Sequence, residues 1–201
     1  MKIIVIGATG TIGTAVADAL ASRHEVVRAS RSGQPSVDID DVASVTALFD
    51  RIGQVDGVVV CAPSVSTAMR ARAPVAQLTD AQLDFAVQRL MSQVRLVRAA
   101  IPGVRDGGSV TLTTGQLATR PLPGTSALTM AGAGLEGFIR AAALDMPRKL
   151  RLNSVSPGWI KETMERAGLD SAQGMPSREL ADFYVAAVEG TMTGAIIDPT
   201  A

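Results

Sequence analysis

The chain has 201 residues, 47% apolar and 19% charged, with 19 basic and 19 acidic side chains in balance. That is one domain's worth of chain (residues 1–201), low in charge against the roughly 25% of an average soluble domain. It implies a large core and a further surface suited to burial between subunits. Zero net charge without any block of like charges removes electrostatic support for a nucleic-acid or anionic-membrane partner. Cys61 is the single cysteine and "IIVIGA" is too short for a signal-peptide core; no apolar run is long enough to span a bilayer, so a soluble cytoplasmic protein is expected.

Short β-branched runs alternate with helical patterns. "KIIVIG" reads as a first strand, followed by a helix near Ile12–Ser22, a strand "EVVRAS", a short strand "SVDI" and a helix near Val42–Ile52. Next come the strand "DGVVVCA", a helix near Thr79–Ile101, the strand "GSVTLTT", a helix near Ser126–Met146, the strand "LRLNSVS", a helix near Ser177–Glu189 and the strand "GAIID". Thr79 with Gln82 forms a capping box at the head of the third of these helices. Strands apolar throughout and interleaved with helices describe an α/β fold with a parallel sheet covered on both faces. Arg31 to Val37 leaves no room for a crossover helix, so the third strand is expected as a stub beside the C-terminal end of the second.

Two stretches carry chemistry. In "GATGTIG", Gly7, Gly10 and Gly13 follow a strand and open a helix, with Thr9, Thr11 and Ile12 between and beside them. Glycines there let the backbone approach a pyrophosphate, whose charge the helix N-terminus favours. About 20 residues on, where an acidic residue would bind the ribose hydroxyls of NAD, the chain reads Ser30, Arg31 and Ser32. An arginine between hydroxyls suits a ribose 2′-phosphate, hence NADP(H). One histidine and one cysteine make no zinc site, and His24 is read as a helix-end residue.

From these segments onward the chain resembles the short-chain dehydrogenase/reductase family, over nearly its whole length. "GATGTIG" is similar to the glycine-rich turn of the family's extended and atypical members. "VDIDDVASV" resembles the stretch after the third strand, which implies that Asp38, with Ile39, meets the adenine. "VVVCAP" falls where the family has Asn-Asn-Ala-Gly, making Cys61, Ala62 and Pro63 neighbours of the adenosine ribose. "LRLNSVSPGWI" resembles the family's Pro-Gly segment, which implies that Pro157, Gly158 and Ile160 lie against the nicotinamide; for Trp159, closing over a substrate and packing beside the Pro-Gly turn both stay open. The resemblance also implies a Rossmann-type doubly wound parallel sheet of about seven strands, a small-molecule substrate, and a homodimer or homotetramer packed through the Thr79–Ile101 and Ser126–Met146 helices.

Catalysis is where the sequence departs. Matching "LEGFIRAAALDM" puts Leu128 and Gly132 at the positions of the family's Tyr-x-x-x-Lys pair, and that spacing occurs nowhere in the chain. Matching "SVTLTTG" puts Thr114, or less well Thr113, at the family serine; Arg89 falls at a helix asparagine, and Arg120 follows in a loop near the pocket. Thr114 and Arg89 are therefore the catalytic candidates. Small residues from Ala131 to Gly134 are read as close packing with pocket space vacated by tyrosine and lysine. Two functions stay open: an NADP(H)-dependent oxidoreductase acting on a small carbonyl or quinone-like substrate with altered catalytic groups, and an NADP(H)-binding redox sensor or regulatory protein without turnover.

Overall fold

A computed structural model describes residues 1–62 and 69–200. In chain order the elements are β1 (Lys2–Ile6), α1 (Thr11–Ala21), β2 (Glu25–Ala29), α2 (Val42–Ile52), β3 (Val55–Val60), α3 (Asp80–Ala100), β4 (Val104–Thr113), α4 (Ser126–Ala142), β5 (Arg151–Val155), α5 (Lys161–Arg166), α6 (Ser177–Glu189) and β6 (Ile196–Ile197). The six strands form one parallel sheet in the order β2-β1-β3-β4-β5-β6.

Strand periodicity explains why the strands are apolar throughout. Successive side chains point to opposite faces, and both faces are covered. In β1, Ile4 and Ile6 join Leu48, Phe49, Leu96, Val97, Leu135 and Ile139 on the α2–α3–α4 side. Ile3 and Val5 join Val16, Leu20, Leu180 and Tyr184 on the α1–α6 side.

The expectation of about seven strands is corrected: among the described residues there are six, and the third of the expected strands is an isolated bridge. Ser30 pairs with Ser36 in parallel, and Val37 N donates to Ser30 O at 3.1 Å. Pro35 has no N–H to extend the ladder, and the chain soon enters α2, whose first turn is capped by Asp41 Oδ1 accepting from Ala43 N at 2.9 Å. The stub thus lies at the end of β2, reduced to its minimum. Two other boundaries differ. Helix α4 stops at Ala142 rather than Met146, and "KETMER", between the strand "LRLNSVS" and the helix near Ser177–Glu189, forms the short helix α5.

The Thr79–Gln82 capping box is present: Thr79 N donates to Gln82 Oε1 at 3.1 Å, and Gln82 N to Thr79 Oγ1 at 3.3 Å. Strand β1 lies between β2 and β3, so the chain winds outward in both directions from there. In open parallel sheets the crevice at such a reversal, beyond the carboxyl ends of the strands, is where ligands bind.

Candidate functional site: a dinucleotide cleft at the sheet's switch point

Beyond the carboxyl ends of β1 and β3 lies a cleft of about 310 Å³. The turn from β1 into α1 forms its floor. Gly7 has φ of 84°, a left-handed conformation, and a Cβ there would stand 3.0 Å from the Cys61 carbonyl carbon and oxygen. Gly10 caps α1 and donates its N–H to Gly7 O at 3.0 Å. A Cβ at Gly13 would collide with the Gly7 carbonyl, so the first turn of α1 sits hard against the strand end. Thr11 and Ile12 open that helix, and Thr14 Oγ1 ties it to Ala8 O at 3.0 Å.

The cleft gathers most of the cofactor candidates. Gly7, Thr9, Gly10, Ser30, Arg31, Ser32, Asp38, Ile39, Cys61 and Ala62 all line it. Ser30 is 6% exposed, and among the described residues its buried hydroxyl has no hydrogen-bond partner. Among the described residues Arg31 forms no ion pair, while its carbonyl accepts from Ser36 Oγ at 3.0 Å. An orphaned hydroxyl beside an uncommitted guanidinium fits a phosphate ester, since buried polar groups normally find a partner. Asp38 is held by its neighbours: its N–H donates to Ser44 Oγ at 3.0 Å and its Oδ1 accepts from Asp40 N at 3.1 Å. Burial pushes the Cys61 thiol up to about 12, against a hydrogen bond with Thr113. That keeps Cys61 a neutral wall residue. Pro63 lies outside the described residues.

Beyond the ends of β4 and β5 the Pro-Gly segment forms a second group. Pro157 O accepts from Gln116 N at 3.0 Å, and the Gln116 side-chain amide lies directly on Gly158, where a Cβ has no room. Gln116 Nε2 in turn donates to Asp198 Oδ1 at 2.8 Å and to Thr200 Oγ1 at 2.6 Å. Arg120 is committed to the same tail, with Nη2 3.1 Å from Asp198 Oδ2. Ile160 is buried and packs its side chain into the α1–α6 core, while Trp159 is 47% exposed.

The two catalytic candidates stand in different places. Arg89 lines the dinucleotide cleft beside Phe85, with its guanidinium carbon 5.6 Å from the ring centroid; Arg70 lies at the same distance. Burial lowers the Arg89 pKa to about 10, against the pull of Asp40. Thr114 follows the end of β4 and is not among the cleft's lining residues. Its hydroxyl donates to Glu136 Oε1 at 3.3 Å, with Ser154 Oγ 3.5 Å away. Thr113 faces the opposite side of the sheet, donating to Val60 O at 2.7 Å and accepting from Tyr184 at 2.7 Å. Tyr184, the chain's one tyrosine, is fully buried, and burial raises its pKa well above the ordinary value.

The comparisons agree with this geometry. The family model described as enoyl-(acyl carrier protein) reductase matches residues 11–181. The Listeria innocua protein lin1944 superposes with a TM-score of 0.89 at 31% identity, covering 98% of each chain. The chain is a short-chain dehydrogenase/reductase. A small-chain dehydrogenase solved in complex with NADPH has a TM-score of 0.84 at 26% identity, over 98% of this chain and 95% of that one. Human dehydrogenase/reductase SDR family member 4 is 30% identical over 93 residues, which are 45% of this chain and 32% of that protein. The match thus spans about a third of that relative's length.

In this family member the segment around Leu128 is half-buried and apolar. Leu128 lies against a cluster of Ala71, Ala86 and Ala127 with Leu78, Leu83 and Phe85. A Cβ at Gly132 would stand 3.3 Å from Ala118 Cβ, and one at Gly134 3.2 Å from Leu90 Cδ2. The vacated pocket space expected at Gly132 is therefore taken up by Ala118, and close packing alone accounts for the glycine. Sequence reasoning missed Asp40, Phe85 and Gln88 in the cleft, Gln116 on the Pro-Gly turn and Glu136 under Thr114. For Glu136 a signal existed: it is the one acidic residue within α4, and it follows Leu128 and Gly132 at four-residue intervals.

Proposed function

We propose that the protein is an NADP(H)-dependent oxidoreductase acting on a small hydroxy or carbonyl compound, as an atypical family member without the Tyr-x-x-x-Lys pair. The observation that carries the nucleotide choice is the unpartnered Ser30 hydroxyl, buried in the cleft next to Arg31. Those two side chains and Ser32 would hold the 2′-phosphate. The turn through Gly7, Thr9, Gly10 and Gly13 would take the pyrophosphate at the head of α1, with Thr11 and Ile12 flanking it. Asp38 and Ile39 would border the adenine, Cys61, Ala62 and Pro63 the ribose, and Pro157, Gly158 and Ile160 the nicotinamide. The complex of a 26%-identical small-chain dehydrogenase with NADPH supports the same nucleotide.

When bound, the nucleotide supplies hydride exchange; the chain supplies orientation and proton handling. Leu128 sits in an apolar cluster and Gly132 carries no side chain, so neither moves a proton. A missing general acid costs about 10²- to 10⁴-fold in rate. Slow reaction with simple ketones is therefore expected, with quinones and diketones doing better. The apolar packing at Leu128 also favours the rival reading, tight NADP(H) binding without turnover.

Thermal melting tests the nucleotide assignment. NADPH should raise the melting temperature more than NADH, and Arg31→Ala should remove that difference. Equal shifts in the unaltered protein would end the NADP assignment. NADPH consumption across a panel of carbonyl compounds and quinones then separates oxidoreductase from sensor.

A further inference from the structure

Glu136 is 2% exposed, on the helix that carries Leu128 and Gly132 at the positions of the family's Tyr-x-x-x-Lys pair. A buried carboxylate is costly unless its oxygens are satisfied. Here Oε1 accepts from Thr114 Oγ1 at 3.3 Å and from Ser156 Oγ at 3.3 Å, and Oε2 accepts from Arg140 Nη2 at 3.3 Å. Thr114 and Ser156 follow the carboxyl ends of β4 and β5, the side of a parallel sheet where ligands bind. The Thr114 backbone is pinned as well, its N–H donating to Val155 O at 2.9 Å.

This geometry fixes what the Thr114 hydroxyl can do. It has one proton and two lone pairs. The proton is spent on Glu136 and one lone pair faces Ser154 Oγ at 3.5 Å, so toward a substrate Thr114 presents its remaining lone pair. A residue in that state does not donate to a carbonyl; it accepts from a hydroxyl.

Resting on the oxidoreductase reading above, we infer that Thr114 and Glu136 form a proton-accepting pair for a substrate alcohol, with Glu136 as the positioning residue that acts through Thr114. As the substrate's O–H bond breaks, its proton passes to Thr114 Oγ1, and the Thr114 proton passes to Glu136 Oε1. An oxidised nicotinamide nucleotide, when bound, would take the C–H hydride with its electron pair; the chain's own part ends with a protonated Glu136 beside the carbonyl product. Arg140 Nη2, 3.3 Å from Oε2, holds the carboxylate in its charged form, and the proton returns through Thr114 Oγ1 to water once the carbonyl product has left. The pair thus does from beneath the sheet end what no side chain at Leu128 or Gly132 can do. It assigns the substrate to the class of small secondary alcohols.

Two measurements decide this. The first needs no turnover. With glutamate labelled at the carboxyl carbon, the Glu136 resonance, identified by its loss in Glu136→Gln, is titrated in wild type and in Thr114→Val. A displaced resonance and titration in Thr114→Val is expected; coincident curves would show that the hydroxyl and carboxylate do not communicate, and would overturn the pair.

The second follows oxidation of cyclohexanol, 1-phenylethanol and 3-hydroxybutyrate with NADP⁺. Glu136→Gln should lower kcat by about 100-fold, with alcohol KM and NADPH affinity unchanged. Thr114→Val should lower kcat by as much and also raise the alcohol KM, because it removes the acceptor of the substrate hydroxyl, and Thr114→Ser should restore both. Should Glu136→Gln fail to fold, the Thr114 variants carry the comparison. A protein that binds NADPH yet oxidises none of these alcohols, or a Glu136→Gln variant with wild-type kcat, overturns the pair while leaving the nucleotide assignment intact. Loss of nucleotide binding in wild type would instead strike the functional reading, and the carboxyl titration would still judge the contact.

Discussion

A methyl group at Gly13 would stand 2.7 Å from the Gly7 carbonyl carbon and 3.0 Å from Ala8 Cα, both backbone atoms of the turn that would hold the pyrophosphate. Gly13→Ala must therefore push the head of α1 away from β1. It should cost about 1–3 kcal/mol by overpacking and weaken NADPH binding at the same time, read as a lower urea midpoint and a smaller nucleotide-induced melting shift. An unaltered midpoint would mean that the turn relaxes freely. At this scale the sequence was most informative where backbone geometry dictates residue type. The glycines and the Ser30–Arg31–Ser32 group could be read because a turn and a strand end announce them. Glu136 could not be read with the same ease. Its partners, Thr114 and Ser156, lie 22 and 20 residues away and meet it only after three elements pack. Arg89 shows the converse: its position in the helix was legible, but not the direction in which burial between Phe85 and Asp40 would turn it.

Among the elements, α3 and α4 show how local signals and packing divide the work. The head of α3 is set locally by the capping box, so Thr79→Ala should cost about 1 kcal/mol in a urea melt and leave the cleft untouched. Helix α4 has the opposite character. Its glycines each cost about 1 kcal/mol of helix propensity relative to alanine, offset by the approach of Ala118 to Gly132 and of Leu90 to Gly134. Rebuilding the family spacing with Leu128→Tyr and Gly132→Lys sets two large side chains against the Leu78–Leu83–Phe85 cluster and the Gln116–Ala118 turn. The double variant should lose about 1–3 kcal/mol by overpacking, seen as a lower melting temperature. If it melts like wild type, the region is open rather than packed. Helix α2 was legible to the residue because Asp41 and Gly53 mark both ends. Helix α5 was not, because six residues give too little periodicity to separate a helix from a loop.

The whole molecule leaves the outer side of α3 and α4 uncovered. Val87 is 42% and Met130 47% exposed, and the neighbouring Ala133, Gly134 and Gly137 are exposed small residues. Nothing lies within 4 Å of a Cβ built at Gly137. Inside the chain, then, Gly137 has no packing reason to be glycine, whereas Gly132 and Gly134 do. A helix from another copy laid across this strip would use the missing side chains, since small residues allow close backbone approach. Self-association through one patch closes as a two-fold dimer, and repetition through a second patch gives a tetramer. The expectation is a homodimer or homotetramer, measured by light scattering at micromolar concentration. Gly137→Arg and Met130→Arg place a charge in that contact without touching the cleft. Each should shift the mass to that of a single chain while NADPH still raises the melting temperature. Wild type running as a monomer would refute the interface. Variants that stay associated would move the contact to another face, because a buried unpaired arginine is too costly to be carried silently.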